Sequence, residues 1–120
     1  YDVASLLYDA KIPMLQKNRD EMLEFYIDRF TSVSKEEKNA FRGYYSGFSM
    51  IRVMQALGAF GFRGLYEKKP TFTESIVPGV HILNSIVDEA EKHISLPELF
   101  RAVRSISNTR MFGELSSKTV

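Results

Sequence analysis

A proline-free segment that begins at Ser34 constrains the fold more than any other feature of the sequence. Ser34 and Glu37 form a capping-box pattern, which satisfies free backbone amides at a helix start. Apolar residues then recur at helical spacing, at positions 41, 44, 45, 48, 51, 54 and 57. Each glycine inside a helix costs about 1 kcal/mol relative to alanine. We therefore predict a helix from about Lys35 to about Tyr66 that either breaks near residues 58–64 or packs closely against another backbone.

Four other segments are also predicted to be helical. The clearest pattern places apolar residues at spacings of 4, 3, 4, 3 and 4, at Ile76, Val80, Leu83, Val87, Ala90 and Ile94. The predicted helices run over about 2–9, 17–30, 76–93 and 97–106. Because no segment shows a convincing two-residue alternation, the sequence predicts an all-α fold, a five-helix bundle. We expect one helical unit over residues 1–106, followed by a polar tail or linker over 107–120.

Composition and charge exclude several classes of function. The 16 basic and 15 acidic residues give a net charge of +1, so no large basic field is available to bind nucleic acid. Cysteine is absent, which excludes disulfides, thiol catalysis and thiolate metal sites within the chain. No apolar run approaches the roughly 20 residues that span a bilayer. We expect a cytoplasmic protein with no membrane partner.

The sequence offers little direct chemistry for a metal, a phosphate loop or a nucleophile. His81 and His93 have no carboxylate at ligand spacing on the same helix face, so we predict no metal site. The glycine stretch over 58–64 follows a helix, whereas a phosphate-binding loop precedes one. No serine or threonine has a base beside it in sequence. We therefore expect no catalytic residue in this chain.

Two clusters of polar residues remain as candidates. Asp20, Glu24 and Asp28 form an acidic stripe on the second helix, which is typical of a solvated face, although it is also able to attract a cationic substrate. On the long helix, Arg52 and Gln55 continue a face that begins with aromatic residues and includes Tyr45. Such a polar pair either forms structural ion pairs or lines a substrate pocket, and Arg63 is a weaker candidate of the same kind.

Three short motifs resemble the aminoglycoside phosphotransferase and choline kinase-like superfamily, and in particular its bacterial sugar kinases of the N-acetylmuramate kinase type. The first motif is YDVASLL at positions 1–7, followed by Asp9. The second is RVMQALGAF at 52–60, in which Gln55 stands where the family has a lysine. The third is the Lys69-Pro70 turn with Phe72. The resemblance extends over residues 1–106.

The resemblance implies that the chain is the helical part of a C-terminal kinase lobe, preceded by an N-lobe and a catalytic loop. The full protein would transfer a phosphoryl group from ATP, with magnesium, to a hydroxyl of a small molecule such as a sugar or amino sugar. The catalytic aspartate and the metal ligands lie upstream in that family, so this chain would bind no cofactor itself. Asp2 would support the catalytic loop, and Tyr45, Arg52, Gln55 and Arg63 would belong to the acceptor side.

Two other interpretations of the sequence stay open. The chain is alternatively a free-standing helical interaction module whose aromatic face binds a partner helix, or a domain that binds an apolar ligand. The kinase-lobe interpretation also predicts self-association through the first helix. Without the preceding polypeptide to cover them, Leu6, Leu7 and Tyr8 would be exposed to water.

Overall fold

The computed structural model describes residues 2–12, 14–30 and 34–118, and every regular element within them is helical. The α-helices are α1 (Asp2–Leu7), α2 (Gln16–Phe30), α3 (Lys35–Gly61), α4 (Pro70–Thr73), α5 (Ile76–Ala90), α6 (Pro97–Ser105) and α7 (Arg110–Lys118). A π-helical turn, Phe62–Tyr66, continues α3, and a 3₁₀ turn, Ile106–Asn108, follows α6. The all-α class is confirmed. The described part of the chain has six helices longer than one turn, so the predicted number of five is not confirmed.

Helix α3 is the longest helix of the described residues. Its 27 residues span about 40 Å at roughly 1.5 Å per residue, and the longest dimension of the chain is 48 Å. The predicted capping box is present, because Ser34 Oγ accepts a hydrogen bond from the Glu37 amide and Glu37 Oε2 accepts one from the Ser34 amide. The helix does not break at the glycines, because it continues after Gly61 as the π-helical turn.

The main core lies where α3, α5 and α6 meet. It contains Met50 and Val53 of α3, Leu83, Ile86, Val87 and Ala90 of α5, and Phe100 and Val103 of α6. The predicted inward face of α5 is thus confirmed from Ile76 to Ala90, all of whose predicted apolar positions are buried. Ile94 lies beyond the end of the helix and is half-buried. Gly79 allows close packing here, since a Cβ on it would lie 2.8 Å from Leu57 Cδ2.

The segment expected to be a polar tail contains helix α7. Phe112 of α7 is buried against Ile76, Val77 and Val80 at the start of α5. Phe112 and the partly buried Leu115 give the helix an inner side, while Arg110 and Glu114 pair on its outer surface with an Nε to Oε1 distance of 2.9 Å. The expectation of a polar tail or linker over 107–120 is therefore wrong over Arg110–Lys118, which form a helix that packs on α5.

Helix α1 is covered on one side only. Ala4 and Leu7 are buried together with Tyr45 of α3, whereas Leu6 is 61% exposed. The expectation that Leu7 loses its cover without preceding polypeptide is wrong, because Leu7 is buried among the described residues, and Tyr8 is half-buried. Self-association through the Leu6 side remains a prediction. None of the helices in the described residues combines the length and the apolar character needed to cross a bilayer.

Candidate functional site

Two arginines fix helix α1 to the rest of the fold. Arg19 of α2 is buried and its Nε donates a hydrogen bond to the carbonyl oxygen of Leu7 at 2.8 Å. This bond satisfies one of the carbonyls left free at the end of α1. Arg52 of α3 donates from Nε to Ser5 Oγ at 2.9 Å. Each guanidinium thus joins α1 to a different helix, and the two together set its position.

A groove of about 300 Å³ lies beside α1 and is called here the α1–α3 groove. Its polar lining comes from Ser5, Asp9, Lys11 and Arg52, and Tyr8, Phe60 and several small residues form the remainder. Asp9 is held in place because its Oδ1 accepts a hydrogen bond from the Lys11 amide at 2.8 Å. The groove therefore presents a guanidinium, an ammonium and a carboxylate close to two aromatic rings.

Two cationic side chains lie near the ring of Phe72. The Arg63 guanidinium lies 5.3 Å from the centre of the Phe72 ring, and Lys11 Nζ lies 5.9 Å from it. Both distances are in the range of a cation–π interaction. Phe72 also contacts Phe60 of the groove lining, with 6.4 Å between ring centres. The α4 turn therefore attaches to the α1–α3 groove through aromatic contacts.

A second cavity, of about 350 Å³, lies between α2, α3 and α5 and is called here the acidic cavity. Four carboxylates line it, from Asp20, Glu24, Asp88 and Glu89. Tyr8 lines both this cavity and the α1–α3 groove. The hydroxyl oxygens of Tyr45 and Ser49 are buried at its wall, and neither makes a hydrogen bond in the described part of the chain.

Burial raises the pKa of both tyrosine hydroxyls at the acidic cavity. Removal from water is the main cause that raises the pKa of Tyr45, and the neighbouring Tyr8 raises it further. The nearby Ser49 hydroxyl lowers the same pKa. Burial also raises the pKa of Tyr8. At neutral pH these groups are hydrogen-bond donors and acceptors, and they do not act as bases.

The acidic stripe predicted on α2 is divided among three partners. Asp28 pairs with Lys38 at 2.8 Å. Glu24 accepts two hydrogen bonds from Arg42, at 2.8 and 2.6 Å, and this guanidinium holds the pKa of Glu24 below its ordinary value. Asp20 accepts a bond from the neutral Gln16 amide at 2.8 Å. Two members of the stripe thus form ion pairs at the surface, and Asp20 is left to face the acidic cavity.

An apolar groove runs along the outer side of α3 and is called here the apolar groove. It has a volume of about 530 Å³ and is lined by Tyr44, Phe48, Ile51, His93, Ile94 and small residues of α3. Tyr44 is 72% exposed, and Phe48 and Ile51 are each about half exposed. Part of the aromatic pattern that predicted α3 therefore lies outside the core, on an open surface.

The five candidate residues from the sequence do not form one cluster. Tyr45 lines the acidic cavity, and Arg52 lines the α1–α3 groove. Gln55 is exposed on α3 outside both cavities, and Arg63 lies over Phe72. Asp2 is exposed at the start of α1, and no hydrogen bond joins its carboxylate to another residue in the described ranges.

Arg19 directly precedes the acidic stripe of α2 in the sequence, yet its side chain is buried. Its guanidinium lies 5.1 Å from the centre of the Tyr8 ring and also binds the end of α1. No local pattern marks such a residue, since its partner is a backbone carbonyl twelve residues earlier. Ser49 was also missed, because a serine between apolar helix positions carries no recognisable signal.

The histidines contact neighbouring side chains, and the statement that neither has a carboxylate on its own helix face is wrong for His93, which lies four residues after Glu89. His81 meets the Phe112 ring edge-on, with 5.8 Å between ring centres, and His93 Nε2 lies 3.6 Å from Glu89 Oε1. Within the described ranges, no three acidic, histidine or cysteine side chains lie close enough together to hold a metal ion.

Comparison with known proteins leaves the family open. No protein-family model, curated protein or solved structure matched this chain.

Proposed function

We propose that this chain is the helical part of the C-terminal lobe of an ATP-dependent phosphotransferase that acts on a hydroxyl of a small molecule, a sugar or amino sugar. In this proposal the chain supports the catalytic loop and forms one wall of the acceptor pocket. The general base, the magnesium ligands and the ATP site would belong to polypeptide that precedes Tyr1. Catalysis would then consist mainly of positioning and electrostatic stabilisation.

The observation that carries the proposal is that the three motifs of the resemblance meet at the α1–α3 groove. Ser5 of the first motif accepts the hydrogen bond from Arg52 of the second. Phe60 of the second motif contacts Phe72 of the third. Because these positions are far apart in sequence, a chance match of short patterns gives no reason for them to converge. The convergence supports an architecture shared with that superfamily, in which the α1–α3 groove is the acceptor side.

The position of Asp2 is compatible with a role in supporting the catalytic loop. Its carboxylate lies at the exposed start of α1, which Arg19 and Arg52 hold firmly in place. A carboxylate at this position is able to accept backbone amides from a loop that packs over the helix start. In the intact enzyme, we expect Asp2→Asn to lower kcat about tenfold or more while the affinity for ATP changes less than threefold.

An ATP-consumption screen of the protein with its preceding polypeptide tests the proposal. The screen uses amino sugars, muramic acid derivatives and choline as acceptors, and phosphorylated product is confirmed by mass spectrometry. Glu21→Gln is a matched control for Asp2→Asn, since Glu21 is an exposed carboxylate that pairs only with Lys17 in the described residues. ATP consumption that depends on one acceptor and on Asp2 supports the proposal. A gene that encodes no kinase motif ahead of Tyr1 refutes it.

The second candidate function is a helical interaction module, and the apolar groove favours it. Tyr44, Phe48 and Ile51 form an open apolar strip of the kind that receives an amphipathic helix. Charged substitutions separate the two functions. Phe48→Glu abolishes partner binding if the groove is an interaction site, and it leaves acceptor-dependent ATP consumption unchanged if the chain is a kinase lobe.

A further inference from the structure

The outward side of α3 and of the π-helical turn that continues it has the residue spacing of a helix-pairing seam. Six exposed positions there follow one another at intervals of 4, 3, 4, 3 and 4 residues, the same intervals that mark the buried side of α5. They are called here the outer strip and are Tyr44, Phe48, Ile51, Gln55, Gly58 and Phe62. A seam with this spacing is typical of a helix that packs along a second helix.

Charge is nearly absent from this part of the chain. Between Gly43 and Phe62 the sequence has a single charged residue, Arg52, which is half-buried and donates a hydrogen bond to Ser5. The inner side of the same helix packs in the main core against α5 and α6. Helix α3 is thus apolar on two opposite sides, and a helix of this kind is normally covered on both.

The exposed apolar area is sufficient for one side of a stable dimer interface. The large apolar residues on the outer strip and at its edges are between 37% and 77% exposed. They are Tyr44, Phe48, Ile51, Met54, Phe62 and Tyr66. With about 150–250 Å² for a large side chain, their exposed surface amounts to about 700–800 Å², close to the roughly 800 Å² that each partner buries in a standard interface.

The two halves of the outer strip are complementary when two copies of α3 run in opposite directions. With a two-fold axis level with Val53, Phe48 of each copy faces Gly58 of the other, and Tyr44 faces Phe62. The space over Gly58 is open, because a Cβ built there meets no atom within 4 Å, so an aromatic ring is able to pack against this backbone. A surface that is complementary to itself is what a two-fold symmetric interface requires.

The charges at the two ends of the helix favour the same antiparallel direction. Glu36 lies in the first turn of α3, and Lys68 follows the π-helical turn at the other end. Both are exposed, and neither forms an ion pair within the described residues. An antiparallel pair brings Glu36 of one copy to within about one helical turn of the level of Lys68 in the other. It also sets the two helix dipoles in opposite directions.

We propose that α3 pairs through the outer strip with α3 of a second copy of this chain, in an antiparallel two-fold dimer. The apolar groove, whose α3 wall includes Tyr44, Phe48 and Ile51, is then occupied by the chain's own helix. The proposal rests on this surface and does not depend on the kinase-lobe assignment. The mass of the chain in solution and its acceptor-dependent ATP consumption are separate measurements, so one proposal is able to fail without the other.

Sedimentation velocity of the chain over a wide range of concentrations tests the proposal. We expect a reversible dimer with a micromolar or lower dissociation constant. Phe48→Glu should weaken association about thirtyfold or more, because it places a charge at the centre of an apolar interface. Phe25→Glu is the matched control, since Phe25 is an equally exposed aromatic residue on α2, outside the strip, and should leave the dimer unchanged. Circular dichroism of each variant checks that the helices are intact.

A charge pair across the interface tests the antiparallel register. Gly58→Lys should weaken association about tenfold, because its side chain fills the space that receives the Phe48 ring. The double variant Phe48→Glu with Gly58→Lys should associate about tenfold more tightly than Phe48→Glu alone, because the two new charges then face each other between copies. Within one copy the two positions are about 15 Å apart along the helix, so this recovery requires a second copy.

Three results would overturn the proposal. The first is a monomer at every concentration, which leaves the outer strip to another polypeptide. The second is a dimer that Phe25→Glu weakens as much as Phe48→Glu, or that Leu6→Glu in α1 dissociates while Phe48→Glu does not. The third is a double variant that associates no more tightly than Phe48→Glu alone, since the two strips then do not meet in the antiparallel register.

Discussion

Alanine substitution at two glycines of the long helical segment should change the stability of the fold in opposite directions. Gly58 lies in α3, and a Cβ built on it meets no atom within 4 Å. Gly64 lies in the π-helical turn, and a Cβ built on it would lie 2.8 Å from both the amide nitrogen and Oγ1 of Thr73. The contact at Gly64 is partly with backbone, so rotation of a side chain does not relieve it.

The expected magnitudes follow from these two environments. Gly58→Ala should raise the free energy of unfolding by about 0.5–1 kcal/mol, because alanine restricts the unfolded chain and favours the helix. Gly64→Ala gains the same helix propensity, but its Cβ forces α4 away from the π-helical turn. We therefore expect the free energy of unfolding to fall by about 1–3 kcal/mol. In a domain of this size the two variants should therefore melt at least about 6 °C apart.

Urea unfolding followed by circular dichroism at 222 nm measures both values. The slope of the free energy against urea concentration should stay unchanged, so that differences in midpoint report stability alone. Gly113→Ala in α7 is a second control, since a Cβ there also meets no atom within 4 Å. If Gly64→Ala is as stable as the natural chain, the close approach of α4 does not constrain the fold and the reasoning from the Thr73 contact is refuted.

Two further predictions concern polar groups that hold the helices together. Arg19→Met should lower the free energy of unfolding by about 1–3 kcal/mol, because the buried carbonyl of Leu7 loses its donor; Arg101→Met, at an exposed i,i+3 pair, should change it by less than about 0.5 kcal/mol in the same urea assay. Arg42 holds the pKa of Glu24 below its ordinary value, so this pair stabilises the fold above the carboxyl range and the contribution is lost as the pH falls through that range. Glu24→Gln should therefore make the urea midpoint less dependent on pH between about 6 and 3, and an unchanged pH dependence would contradict the assignment of this pair.

The helices that sequence reasoning predicted well are those with strong local signals. The capping box at Ser34 and Glu37 fixed the start of α3, since the bonds that form it involve only neighbouring residues. The regular spacing in α5 reflects a helix that is buried along one whole side. Both signals come from residues that are close together in the sequence, so packing against the rest of the chain does not alter the helices that they predict.

The features that sequence reasoning missed depend on distant contacts. Helix α7 has one fully buried side chain, Phe112, with the partly buried Leu115 beside it, and a pattern with so few inward residues is too weak to recognise. The exposure of Tyr44 and Phe48 was equally hidden, because helical spacing shows that residues share a face without showing what covers it. The burial of Arg19 depends on where α1 ends in space. Each of these is a property of packing between elements.

The site itself could be predicted only in part, and Tyr8 shows why. This residue lines both the α1–α3 groove and the acidic cavity, and its ring is held by the Arg19 guanidinium. A change that shifts α1, such as loss of the Arg52 bond to Ser5, should therefore alter both cavities at once. A change at Asp20 should affect the acidic cavity alone. If an Arg52→Met variant lowers acceptor-dependent ATP consumption and also shifts the amide signals of Tyr45 and Ser49, while Asp20→Asn shifts only those amide signals, the two cavities are coupled through Tyr8.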